Sequence, residues 1–226
     1  MSEKLVIFDC DGTLVDSQHL IVAAMTSAFE GVGHPVPARA DILSIVGLSL
    51  PFAIETLMPG APRDQVLAVS DGYKSAFGVL RLDPANAEPL YPGIEPLVRG
   101  LARRNDVLLG IATGKSRRGV DRVLAHFDLA GAFTTIHTAD DHESKPHPDM
   151  VERAMANTDV TPQRTIMIGD TTFDIEMGRS AGAHTIGVSW GYHDVSELRR
   201  FGANRIAGTS DALRAAIEDL FGIMDA

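Results

Sequence analysis

A single cysteine, Cys10, is present in 226 residues, so no intrachain disulfide can form and a reducing compartment suits the chain best. Positive charge is also in short supply: 20 Lys and Arg stand against 30 Asp and Glu, a net charge of −10. A surface built for nucleic acid or another polyanion needs the opposite balance, so that class of partner is excluded; a small anion in a local positive pocket is not. No apolar run approaches the ~20 residues of a membrane span. Ser2, Glu3 and Lys4 lead straight into a strand pattern, which is not how a signal peptide begins. Internal repeats and low-complexity segments are absent. These absences predict a soluble cytoplasmic protein with neither nucleic acid nor membrane as partner. The composition, 45% hydrophobic and 22% charged, is that of a globular chain long enough for one large domain or two unequal ones. Nothing in it fixes an oligomeric state.

What is present is organised in two textures. Residues 4 to 8, KLVIF, are a short apolar run of buried-strand type. The next seventy or so residues carry helical spacing only, in SQHLIVAAMTSAFEGVG, ADILSIVG, SLPFAIETLM and PRDQVLAVSDGYKSAF, punctuated by Gly33 and several prolines. Residues 82 to 93, LDPANAEPLYPG, read as a linker. Beyond them strands alternate with helices: VLLGIA, TTIHT, RTIMIG and HTIGVS are strand patterns, NRIAG is a brief one, and helical stretches separate them. Alternation of this kind predicts a parallel sheet covered on both faces. The expected architecture is therefore α/β, a Rossmann-like doubly wound parallel sheet formed by residues 1–15 and 90–226, with a small helical domain, 16–89, inserted after the first strand.

Ligands in open α/β sheets sit at the carboxyl ends of the strands. Four strand ends carry chemistry: DCDGT (9–13), ATGKS (112–116), SKPHPD (144–149) and GDTTFD (169–174). Asp9, Asp11, Asp170 and Asp174 would share one edge. Helix capping accounts for Asp174 taken alone; four carboxylates crowded together repel unless a cation joins them. Oxygen-only ligands select a hard ion, and few protein ligands with retained waters favour Mg2+ over Ca2+. Lys145, stiffened by Pro146 and Pro148, is either a solvated loop lysine or the fixed positive charge that a transferring phosphoryl group needs. GIATGKS is one residue short of a nucleotide P-loop, since Gly110 and Gly114 are separated by only three residues. A hydroxyl and a free backbone N–H entering a helix there, from Thr113 and Gly114, still suit a phosphate. Lys115 is read as solvated. Cys10, between two carboxylates, is expected to be a packed thiol and not a nucleophile. His137, His142 and His147 with Asp140 and Asp141 match no common zinc spacing and are read as a polar loop. Trp190 and Tyr192 belong either to the core or to the mouth of the site.

These four motifs, in this order, resemble those of the haloacid dehalogenase-like hydrolases. FDCDGTLVDS, ATGK, KPHPD and GDTTFD stand in the positions of that superfamily's four motifs and span the whole expected core. The helical insertion is similar to the family's small helical cap, and the nearest likeness is to phosphoglycolate phosphatase-like members, through GTLVDS, IVGLSL and GDTTFDI. The resemblance implies a phosphatase of small phosphomonoesters, such as phosphoglycolate or a sugar phosphate. Asp9 would be the nucleophile that forms an aspartyl-phosphate, and Asp11 the general acid and base. Mg2+ would be held by Asp9, the carbonyl of Asp11, and Asp170, with Asp174 supporting its water shell. Thr113, the backbone of Gly114, and Lys145 would bind the phosphate, and a small phosphorylated metabolite would be the partner. The second aspartate separates the chain from dehalogenases and phosphonate-cleaving members. A phosphosugar mutase is the alternative, although Leu48, Ser49 and Leu50 follow Gly47 where mutases usually carry a basic residue. A non-catalytic phospho-ligand binder is a further one. Specificity is expected in the insertion, whose basic residues are Arg39, Arg63, Lys74 and Arg81.

Overall fold

A strand hydrogen-bonded on both sides and packed on both faces can afford no polar interruption, and KLVIF meets that requirement. In the computed structural model, which describes residues 3–225, this run is β1 (Lys4–Phe8), wholly buried at the centre of a parallel sheet. Its neighbours are β2 (Val107–Thr113) and β4 (Thr165–Gly169), both parallel to it. β3 (Thr135–Thr138), β5 (His184–Val188) and β6 (Arg205–Ala207) complete the six-stranded order β3-β2-β1-β4-β5-β6. This is a Rossmann-like doubly wound order, with the chain reversing direction across the sheet between β1 and β4. Even Lys4, buried at the start of β1, is paired: its ammonium lies 2.7 Å from Asp225 and 3.4 Å from Asp106.

Period-two alternation along β1 sorts its side chains between two cores. Val6 and Phe8 join Leu109, Ile111 and Ile168 under α5 (Ile94–Ala102), α6 (Arg117–His126) and α10 (Ser210–Met224). Leu5 and Ile7 face the other way, against Met150, Val151 and Met177 of α7 (Asp149–Thr158) and α8 (Thr172–Ser180). The short α9 (Val195–Arg200) buries only Leu198, against β5 and β6.

Between Gln18 and Leu80 the described residues form helices and loops: α1 (Gln18–Gly31), α2 (Arg39–Ser44), α3 (Leu50–Leu57) and α4 (Arg63–Leu80). They surround a separate apolar cluster that includes Met25, Phe29, Ile54, Val66 and Val69. α1 and α4 approach closely because Gly72 lies against Ala28. Two crossing segments tie this unit to the sheet. Asp16 N–H donates to Pro89 O at 2.8 Å, Tyr91 N–H donates to Leu14 O at 2.9 Å, and Val15 and Leu90 form an antiparallel bridge between them. The stretch read as a linker is thus half of a two-stranded clip.

Candidate active site

The reversal point of a doubly wound sheet leaves a crevice between the ends of two adjacent strands. Here those strands are β1 and β4, and the residues after them are Asp9 and Asp170. Asp174 lies one turn into α8. Carboxylate oxygens of Asp9, Asp170 and Asp174 all lie within 4.8 Å of one another, and all three side chains are fully buried. The chain makes room by removing side chains nearby. Gly12 has φ of +85°, and a Cβ there would run into Asp170 and Tyr192. Thr13 donates its hydroxyl to Asp170 at 2.8 Å, and the Tyr192 N–H donates to the other Asp170 oxygen at 2.8 Å.

Asp174 carries the capping role foreseen for it and also pairs with Lys145. One oxygen closes a capping box at the start of α8, accepting from the Thr171 N–H at 3.0 Å and its hydroxyl at 2.7 Å. The other accepts from Lys145 at 2.6 Å. Lys145 is fully buried, which rules out the solvated-loop reading, and its ammonium also lies 2.7 Å from Asp9. That second contact is an ion pair by distance; neither Asp9 oxygen has a well-directed hydrogen bond among the described residues.

Two of the three buried carboxylates, Asp9 and Asp174, therefore share one lysine. Burial pushes the Asp9 carboxyl up to about 6, with Lys145 pulling it down and Asp174 pushing it further up. Asp170 is held well above the usual carboxylate range by burial and then by Asp174 and Asp9. Burial would lower the Lys145 pKa, but Asp174 and Asp9 outweigh it and hold the ammonium charged. The excess negative charge, the all-oxygen donor set and the two Asp9 oxygens without hydrogen bonds fit a hard divalent cation.

Asp11 sits apart from this cluster. Its carboxylate accepts from Ser17 at 2.6 Å and from Lys115 at 2.8 Å. Lys115 also donates to Glu88 at 2.7 Å, and its ammonium lies 5.3 Å from the centre of the Phe77 ring. The expectation of a solvated Lys115 is corrected here: two carboxylates and an aromatic face take it out of water, and its side chain is 7% exposed. Nothing local in the sequence signals this, because Glu88 and Phe77 come from far along the chain.

Thr113 is buried at the end of β2, and its hydroxyl accepts from the Lys115 N–H at 3.2 Å. Gly114 lies under the insertion, where a Cβ would strike the carbonyls of Gly47 and Leu48. The Ser49 N–H donates to Ser144, next to Lys145, at 2.9 Å. Between sheet and insertion opens a cavity of about 680 Å³, with Asp9, Asp11, Thr113 and Gly114 on its floor and Ile21, Met25, Tyr73 and Phe77 above. Arg81 and Lys74 from the insertion line it, as do Arg118 and Arg122 of α6; Arg39 instead donates to Gln18 at 2.7 Å. Sequence reading missed Arg118 and Arg122, whose i, i+4 spacing puts them on one helix face but does not say what that face meets.

The remaining candidates separate cleanly. Cys10 is buried, and burial followed by Asp11 raises its thiol pKa well above the ordinary value, as expected of a packed thiol. His137 and His142 are linked at 2.8 Å and end on Asp149 at 2.7 Å, a hydrogen-bonded chain and not a metal-ligand set. Trp190 packs against the core and donates to Thr13 O at 3.2 Å, while Tyr192 packs against the insertion and reaches Ser17 at 3.2 Å.

A parallel doubly wound sheet with acidic residues clustered at its reversal point defines a Rossmann-like α/β scaffold with a polar site under a helical insertion. Residues 6–188 match the haloacid dehalogenase-like hydrolase family, and the chain belongs to that family. It is 34% identical to the Probable phosphatase IndB of Dickeya dadantii over 207 residues, 87% of this chain and 86% of that one. It is 31% identical to the Tyrosine-protein kinase PtkA of Mycobacterium tuberculosis over 96% of this chain and 73% of that protein. A crystal structure of a predicted phosphatase from Clostridium acetobutylicum superimposes with a TM-score of 0.86 at 26% identity, covering 97% of this chain and 100% of that one. Among the described residues no helix is long and apolar enough to cross a membrane.

Proposed function

We propose that this phosphatase of the haloacid dehalogenase-like family hydrolyses a small phosphomonoester with Mg2+, through an aspartyl-phosphate on Asp9. One observation carries the reading: a fully buried carboxylate with two oxygens lacking hydrogen bonds stands at the reversal point of the sheet, beside a buried lysine and at the floor of a large cavity.

In this reading residues 1–15 and 90–226 are the catalytic core and 16–89 the cap. Asp9, Asp170 and the carbonyl of Asp11 would hold Mg2+, with Asp174 behind them. When bound, the ion neutralises the carboxylates and draws charge from the phosphoryl oxygens. One oxygen of Asp9 attacks phosphorus, the bond to the leaving oxygen breaks, and the phosphoryl group rests on Asp9. Lys145 offers a fixed positive charge to that group, and Thr113 and the Gly114 N–H offer hydrogen bonds to it. Asp11 gives a proton to the leaving oxygen and later takes one from the water that releases phosphate. Ser17 and Lys115 keep its carboxylate at the cavity wall in the meantime. The cap excludes bulk water during both steps.

Replacing Asp9 with Asn is expected to abolish Mg2+-dependent turnover of an aryl phosphate. Wild-type activity in that variant would overturn the mechanism. The mutase alternative is decided by NMR of a hexose 1-phosphate: the 6-phosphate accumulating without free phosphate would favour it.

A further inference from the structure

Three arginines near one another line the cavity. Arg81 ends α4 of the insertion, while Arg118 and Arg122 stand one turn apart on α6 of the sheet domain. None of the three guanidinium groups has a hydrogen bond or ion pair among the described residues. Of the charged groups that face Arg122, Arg81 and Arg118 are cationic and Glu88 is anionic. The Glu88 carboxylate is already taken by Lys115 at 2.7 Å. Lys74, also on this wall, has Asp71 at 3.5 Å. Asp140, further round the wall, accepts from the Arg117 N–H at 2.8 Å.

Arg118 is solvent-exposed and Arg81 and Arg122 are half-buried, so their mutual repulsion is only partly screened. Like charges repel, and Arg118 stands in the first turn of α6, at the positive end of the helix dipole, where the Asp140 carboxylate is engaged by the Arg117 N–H. The Arg122 pKa is lowered by burial and then by Arg81 and Arg118.

We infer that Arg81, Arg118 and Arg122 form a second anion subsite, and that the substrate carries a second phosphate on the far side of its carbon skeleton from the one Asp9 attacks. The inference rests on the phosphatase reading above and deepens it by naming the substrate class. Three guanidiniums match the two charges and several acceptor oxygens of a phosphate better than the single charge of a carboxylate. A cavity of about 680 Å³ also holds more than a two-carbon acid. Because the arginines come from both domains, the subsite is complete only while the insertion stays over the sheet.

The test compares a hexose 1,6-bisphosphate, a hexose 6-phosphate and 2-phosphoglycolate with Mg2+, in the wild type and in the R118Q/R122Q variant. The wild type is expected to favour the bisphosphate over the monophosphate by at least about tenfold in kcat/KM, mainly through KM. In the variant that ratio is expected to fall toward one. Calorimetric binding of the bisphosphate to Asp9→Asn, with and without the two arginine changes, reads the subsite without turnover, and a loss of at least about tenfold in affinity is expected. Removing unpaired like charges should leave the ligand-free melting temperature unchanged or raised, which separates loss of binding from loss of fold. Equal use of mono- and bisphosphate, or a preference that survives R118Q/R122Q, would overturn the subsite while leaving the phosphatase reading intact. Arginine-dependent preference for 2-phosphoglycolate would overturn the phosphate and put a carboxylate in its place. No turnover of any ester would overturn the phosphatase reading, and the binding arm would still judge the subsite.

Discussion

Lys145 has no solvent exposure and lies 2.7 Å from Asp9 and 2.6 Å from Asp174. Removing one partner from a buried ionic cluster leaves uncompensated charge, which costs roughly 3–5 kcal/mol. Lys145→Ala is therefore expected to destabilise the metal-free protein by about that amount, measured by urea unfolding. Added Mg2+ is expected to restore part of the loss, since it supplies the missing positive charge; no recovery would count against a cation among these carboxylates. His137 makes a second residue-scale test. Burial, then the neighbouring His142, pushes its pKa down to about 4 from the ordinary 6.5. Between those values the unfolded chain takes the proton and the folded one does not. Stability from this group is thus full above pH of about 6.5 and lost as pH falls toward about 4. The wild type should lose urea stability between pH of about 7 and about 5, and His137→Gln should lose less.

At the scale of elements, the site depends on where the insertion meets the sheet. Gly114 at the end of β2 lies under the Gly47 and Leu48 carbonyls, and Ser144 holds the Ser49 N–H at 2.9 Å. A methyl at position 114 must push backbone away, which shifts the insertion relative to the loops at the strand ends. Gly114→Ala should lower kcat/KM on an aryl phosphate by on the order of 10²-fold, the penalty of a displacement near 1 Å. Its melting temperature should fall somewhat as well, because Leu48, whose carbonyl must move, belongs to the apolar cluster of the insertion. Normal activity would show that this contact does not set the geometry. The elements themselves were legible before the structure: KLVIF and RTIMIG are continuous apolar runs because they are central strands, and the insertion shows helical period alone. The clip of Leu14–Asp16 with Pro89–Tyr91 was not, because isolated pairs of backbone hydrogen bonds leave no periodic trace. The same limit hid Lys115, whose partners Asp11 and Glu88 come from opposite ends of the insertion.

For the whole molecule, the doubly wound order turns four scattered motifs into one site. Asp9, Thr113, Lys145 and Asp170 follow different strands or their loops, and the parallel sheet aligns those ends on one edge. That much could be read from motif order and strand alternation. The charge balance of the cavity could not, since it arises from two domains facing each other across about 680 Å³. Arg81, Arg118 and Arg122, which have no ion pair among the described residues, line the same cavity as the buried Asp9, a division of charge that under the proposed reading would draw a phosphorylated ligand inward. The claim on which all of this turns is that Asp9 receives the phosphoryl group. Acid quenching of a single turnover with a phosphoryl-labelled aryl phosphate and Mg2+, followed by peptide mapping, tests it most directly. The account predicts label on the peptide containing Asp9 and at Asp9 itself, lost in Asp9→Asn. Turnover with no labelled protein, or label on another side chain, would contradict it.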